Sequence, residues 1–70
     1  MVFIGVGHYR EGNSVVYIVS ARSEERAERM AKNDIRAKGW QSPDKFGLYP
    51  LSNLASTLDN DFAHYVTTVQ

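Results

Sequence analysis

The chain has 70 residues, of which 43% are hydrophobic and 23% charged, and its eight basic and eight acidic side chains give it no formal net charge. This length allows one domain, 1–70, and a neutral chain exerts no overall attraction on nucleic acid or on an anionic membrane. The lack of cysteine excludes disulfides and thiolate metal sites.

A domain of this size buries only about 60% of its unfolded surface, so we expect marginal stability, and self-association or a partner would add to it. The sequence shows neither a signal-peptide pattern nor an apolar run near the ~18 residues that a bilayer crossing needs. Together these observations predict a soluble, cytoplasmic protein.

The first twenty residues predict a β-hairpin. The runs 2–9, VFIGVGHY, and 14–20, SVVYIVS, are rich in β-branched and aromatic residues, and Gly12-Asn13 between them tolerates positive φ. If Arg10 pairs with Val15, the two faces separate as follows. One face carries Val2, Ile4, Val6, His8, Val15, Tyr17 and Val19, and the other carries Phe3, Gly5, Gly7, Tyr9, Val16, Ile18 and Ser20. Both faces are apolar, so a second element or a partner must cover the face that the helix leaves bare.

Residues 22–40 predict one helix. Ser23 is a suitable N-cap, and Gly39 is suited to the left-handed position that ends a helix, with Trp40 packing back on Ile35. At about 100° per residue, a small-residue apolar stripe forms that should pack on the sheet. The stripe consists of Ala27, Met30, Ala31 and Ile35.

Arg22, Arg26, Arg29 and Arg36 form a second stripe of this helix, within about 80° of arc in ideal geometry. One interpretation is a binding surface for phosphate or for an acidic protein. The other is a solvated helix face, which the favourably ordered i,i+4 pairs support. Those pairs are Glu25 with Arg29, Glu28 with Lys32 and Asp34 with Lys38.

The C-terminal part is predicted to hold three short elements. Residues 46–51 are predicted to form an edge strand. Pro50 has no amide hydrogen to donate, which confines a strand that contains it to the edge of a sheet. Leu54, Leu58 and Phe62 suggest a short helix capped by Ser52 or Asn53, and residues 65–69 form a last strand. The predicted fold is therefore α+β: a hairpin with one helix packed on it, followed by this less regular segment.

Motifs for catalysis, cofactors or metals do not rise above background. Gly5 and Gly7 lie within a strand pattern, which indicates a bulge or a close backbone approach rather than a phosphate loop. His8 and His64 lack the spacing and companions of a zinc site. Ser20, His8 and Asp61 could serve as nucleophile, base and orienting group. A domain this small offers little volume for an enclosed pocket, however, so an enzyme is not expected.

The segment VFIGVG resembles the first RNA-contacting strand of an RNA-recognition motif, in which an aromatic flanked by aliphatic residues stacks on a base. In that family the first strand leads into a helix, whereas this chain turns directly into a second strand. The order of elements therefore argues against membership.

We interpret the chain as a small non-enzymatic protein that docks on another protein, inhibiting or bridging it, or that forms a homodimer. Phage and mobile-element accessory proteins are often of this size. The predicted contacts are aromatic anchors at Phe3, Tyr9 and Tyr17, with Arg22, Arg26, Arg29 and Arg36 as a polar rim. The alternatives are a nucleic-acid-binding domain that uses the arginine stripe and a small enzyme around His8 and His64.

Overall fold

The computed structural model describes residues 1–51 and 61–70, and within them the chain has an α+β fold, as predicted. The elements are β1 (Val2–His8), β2 (Ser14–Ser20), α1 (Glu24–Ala37), β3 (Lys45–Pro50) and β4 (Phe62–Val69). All neighbouring strands are antiparallel, in the order β3-β1-β2-β4. The N-terminal hairpin therefore occupies the centre of the sheet, and the two later strands form its edges.

The hairpin is confirmed, but its predicted register is wrong. Val15 pairs with Gly7 and not with Arg10. The cause lies in the loop, where Gly12 donates to the Tyr9 carbonyl at 3.0 Å, adopts a φ of 103°, and leaves Tyr9 to donate to Asn13 at 3.0 Å. A tight turn followed by a left-handed glycine is a common three-residue hairpin loop, and its length fixes the pairing. Because Gly7 and Arg10 alternate to opposite sides of the strand, the assignment of faces changes as well.

One face of the sheet is covered by α1. Phe3 of β1 and Val15, Tyr17 and Val19 of β2 form the buried core with the helix. The predicted apolar stripe of the helix is confirmed, since Ala27, Ala31 and Ile35 are fully buried and Met30 packs against them. Side chains that alternate away from this core form the opposite side of the sheet, which we call the open face.

The predicted Ser23 N-cap and the predicted left-handed Gly39 are confirmed, whereas packing of the Trp40 ring on Ile35 stays a prediction. The Ser23 hydroxyl accepts a hydrogen bond from the Arg26 amide at 3.2 Å. At the other end Gly39 has a φ of 80°, its amide donates to Arg36, and the Trp40 amide donates to Ile35 at 3.2 Å. This is the hydrogen-bond pattern of a Schellman motif. The Trp40 ring packs edge-on against Tyr65 of β4, with 5.2 Å between ring centroids, so it ties the helix end to the sheet.

The predicted edge strand near Pro50 is confirmed as β3, which has β1 as its one partner strand among the described residues. The predicted last strand is also present, but β4 begins earlier, at Phe62, so the assignment of Phe62 to a short helix is wrong. Pairing with β2 determines this start, because Phe62 lies opposite Ser20. The other residues of that predicted helix, Leu54 and Leu58 with the caps Ser52 and Asn53, lie outside the described residues.

Gly5 and Gly7 provide space on the helix-covered side. A Cβ at Gly5 would lie 2.8 Å from the Phe46 ring of β3, and one at Gly7 would lie 2.9 Å from Pro43. The predicted close approach is therefore real, although side chains and not another backbone make it. The bulge occurs elsewhere, in β4: Val16 and Tyr17 pair with Thr67 and Tyr65, which leaves Val66 as the extra residue.

Candidate protein-interaction surface

The open face is apolar across all four strands. Ile4 and Val6 of β1 and Val16 and Ile18 of β2 form its centre and are only partly buried. At its margins Tyr49, Val66 and Val69 are 56%, 47% and 53% exposed. Other side chains that alternate to this side are His8, Ser14, Lys45, Gly47, Phe62, His64 and Thr67. Val2 and Ser20 also alternate to this side, at the end where the two strands pair with each other, but they are buried, at 1% and 3% exposed. Exposed aliphatic and aromatic groups of this density are typical of a surface that binds another protein.

The charge of the open face has one sign. Its basic side chains are His8, His64 and Lys45, all exposed, and every carboxylate of the described residues lies on the helix, in the hairpin loop or in the segments that flank the strands. The β strands themselves contain neither aspartate nor glutamate. An apolar centre with only basic groups at its rim complements an apolar patch surrounded by carboxylates.

Two of the three predicted aromatic anchors are not on the surface. Phe3 and Tyr17 are both 0% exposed and belong to the core beneath the helix, so the prediction that they contact a partner is wrong. The register error produced it, because the pairing decides which of these rings turn toward the helix. Tyr9 is half-buried, and its hydroxyl donates to the Gln41 carbonyl at 2.6 Å. The sequence pattern did not predict that Tyr49, Val66 and Val69 would be exposed on this face.

The predicted arginine stripe is exposed at all four positions, away from the core. Arg26 forms an ion pair with Asp61, 2.6 Å between Nε and Oδ2, which connects the helix to the start of β4. Two of the predicted i,i+4 pairs are present, Glu28 with Lys32 at 2.6 Å and Asp34 with Lys38 at 2.7 Å. Among residues 1–51 and 61–70, the other three arginines form no ion pair with a carboxylate.

Tyr17 anchors the helix to the sheet through its hydroxyl. The hydroxyl donates to Asp34 at 2.5 Å, and Lys38 donates to the same carboxylate oxygen at 2.7 Å. The hydrogen bonds from Lys38 and Tyr17 hold the pKa of Asp34 below its usual value, against the opposing effect of partial burial. Burial, and then the bond to Asp34, raises the pKa of Tyr17 well above its usual value. This buried tyrosine therefore has a structural role.

The residues considered for catalysis do not come together. Ser20 pairs near the start of β1, opposite Val2, whereas His8 is at the far end of that strand, roughly 20 Å away at about 3.3 Å per residue. His64 lies two strands from His8 and pairs with Ile18. Within the described ranges no three metal-ligating side chains form a group that could hold an ion.

One open groove of about 430 Å³ lies at the hairpin-loop end of the molecule. Its walls include Tyr9, Val15, Trp40 and Thr68. A second one, of about 410 Å³, lies between the same loop and Asp44 and Lys45. Neither brings together a nucleophile, a base and a group that orients the base, which is the arrangement that nucleophilic catalysis requires.

We compared the chain with protein-family models, with curated proteins and with solved structures. It matches none of them. The described part of the chain also contains no helix with the length and hydropathy that a bilayer crossing requires.

Proposed function

We propose that this chain is a non-enzymatic interaction protein that binds a folded partner protein through its open face. The observation that carries the proposal is the apolar surface opposite the helix, with exposed Tyr49, Val66 and Val69 around a centre of aliphatic side chains. Tyrosine in such a position can anchor an interface, because its ring buries a large area at little entropic cost.

The chemistry of the open face also describes the partner. Since the face offers His8, His64 and Lys45 at its rim and no carboxylate on its strands, the partner should present an apolar patch bordered by aspartate or glutamate. A nucleic acid is less favoured. Lys45 is the one permanently charged side chain on the described part of this face, and phosphate backbones are held by several cations.

Site-specific photocrosslinking tests the proposal. Benzoylphenylalanine replaces Tyr49 on the open face in one variant and Arg29 on the outer side of the helix in a matched variant, and both are irradiated in cells that produce the chain. We expect a protein adduct from position 49, lost when Val66→Glu places a carboxylate on the same face, and little adduct from position 29.

The mass and chemistry of the adduct separate the alternatives. A product heavier than twice the 7.9 kDa chain and sensitive to protease identifies a different protein and supports the proposal. A nuclease-sensitive adduct, or adducts from position 29 alone, would reject the open face as the protein-binding surface.

A further inference from the structure

The two edges of the sheet differ in how they are protected against pairing with another strand. β3 has six residues, with Lys45 at its start, Gly47 inside it and Pro50 at its end. β4 has eight residues and contains no lysine, arginine, carboxylate or proline. Exposed edges are normally protected by lysine, proline or short length, because unpaired amides and carbonyls attract a second strand. By these criteria β3 is protected and β4 is not.

The hydrogen bonds of the hairpin establish which groups of each edge face outward. Tyr9 donates to Asn13, and Ala21 donates to Met1, so the odd-numbered residues of β1 and β2 bond to each other. Because bonding alternates along antiparallel strands, the even-numbered residues of β2 bond to β4, and those of β1 bond to β3. On β3 this turns Phe46, Leu48 and Pro50 outward, and proline has no amide to offer.

The same alternation turns Ala63 and Tyr65 outward on β4. The bulge at Val66 then shifts the alternation by one residue, so that Thr68 and Gln70 face outward beyond it. Each of these four residues carries both an amide and a carbonyl on the outer edge. Within residues 1–51 and 61–70 no strand pairs with this outer edge, so β4 presents a hydrogen-bonding edge there in two segments on either side of Val66.

We propose that two copies of this chain pair through β4, antiparallel and about a twofold axis between Val66 and Thr67, to form a continuous eight-stranded sheet. In this register Tyr65 of each copy lies opposite Thr68 of the other, and Ala63 lies opposite Gln70. All outward groups then meet outward groups on both sides of the bulge, which gives about eight hydrogen bonds between the copies.

A second copy suits this edge because the strand is compatible with itself. His64, the one basic side chain of β4, lies opposite Val69 of the other copy and not opposite its own counterpart. The proposed pairing therefore places no like charges against each other, which would oppose self-pairing. The strand also contains Val66, Thr67, Thr68 and Val69, β-branched residues that favour extended pairing.

Backbone N-methylation gives the sharpest test, since a chain of 70 residues can be made by chemical ligation. Sedimentation equilibrium of the unmodified chain at micromolar concentration should give twice its 7.9 kDa mass. N-methylation of Thr68 removes one outward amide of β4, and N-methylation of Leu48 does the same on β3. The Thr68 change should raise the dimer dissociation constant by about tenfold to a hundredfold, because the twofold axis repeats the lost bond. The Leu48 change should leave it unaltered.

A pair of lysine variants covers the case in which a methylated chain does not fold. Val69→Lys charges the β4 side of the open face, and Tyr49→Lys charges the β3 side at a similarly exposed position. Loss of the dimer in Val69→Lys alone supports pairing through β4. The proposed dimer is overturned if the unmodified chain is monomeric or if both lysine variants lose the dimer equally. Neither result depends on whether position 49 forms an adduct with a different protein.

Discussion

At the scale of the residue, two glycines of neighbouring strands have different reasons to be glycine. A Cβ at Gly5 would meet the Phe46 ring at 2.8 Å inside the core, whereas one at Gly47 would meet the hydroxyl end of Tyr49 at 3.2 Å. The Phe46 ring is half-buried and packs against the core, whereas Tyr49 is 56% exposed and has solvent into which it can turn. We predict that Gly5→Ala lowers the free energy of unfolding by about 1–3 kcal/mol, as overpacking does, and that Gly47→Ala is close to neutral.

Urea unfolding of the two variants measures this difference. The double variant Gly5→Ala with Phe46→Leu should lose less stability than the sum of its single changes, because leucine makes room for the added methyl. Equal losses for Gly5→Ala and Gly47→Ala would show that close packing against Phe46 is not the reason for the glycine.

At the scale of the element, the contact between helix and sheet depends on a polar group inside an apolar interface. Because the pKa of Asp34 is lowered in the folded chain, its contribution to stability is complete above its unfolded pKa and is lost as the pH falls through the folded value. The raised pKa of Tyr17 gives stability the opposite dependence on pH. Its contribution is complete below the ordinary tyrosine range and is lost as the pH rises above it.

We therefore predict that Tyr17→Phe destabilises the chain by about 1.5–3 kcal/mol near neutral pH, since it removes a hydrogen bond to a charged group. The variant should also lose less additional stability than the parent above about pH 10, the ordinary tyrosine pKa. Thermal melts followed by circular dichroism across the pH range would record both effects. Tyr49→Phe, which removes a hydroxyl from an exposed ring, is the control and should melt like the parent. If the stability of the Tyr17→Phe protein falls as steeply as that of the parent above about pH 10, the alkaline loss does not come from ionisation of Tyr17.

At the scale of the whole molecule, charge is distributed by side. The helix carries three exposed arginines, and Arg22 just before its cap is exposed as well, together with Glu24 and Glu25 in its first turn. The chain as a whole is neutral. A phosphate approaching the arginines would meet both signs of charge, so we predict no retention on a mixed DNA or RNA column even in low salt. Duplex binding through several arginines would instead weaken by about 0.9 log units per neutralised phosphate for each log unit of salt.

The double variant Arg29→Gln with Arg36→Gln checks this prediction without disturbing the pair of Arg26 with Asp61. It should fold and elute like the parent. Salt-sensitive retention of the parent that disappears in this variant would favour a nucleic-acid function for the arginine stripe over the open face.

The sequence by itself determined the local features of this protein. The hairpin, the helix from its Ser23 cap to its Gly39 end, the buried helix stripe and the edge position of the Pro50 strand are all visible in the pattern. Each follows from short-range chemistry: β-branched runs, a hydroxyl that accepts from free amides, a left-handed glycine, and a proline without an amide. The exposed arginine stripe could be predicted for the same reason.

Only the tertiary structure decided which surfaces are available. One change in the hairpin register moved Phe3 and Tyr17 into the same core, and pairing with β2 extended β4 back to Phe62. The open face and the unprotected β4 edge depend on which strand lies beside which. The strand period is two, so the same residues can face either side of a sheet until a turn and a neighbouring strand fix the pairing. The candidate interaction surface was therefore determined by contacts between residues distant in sequence.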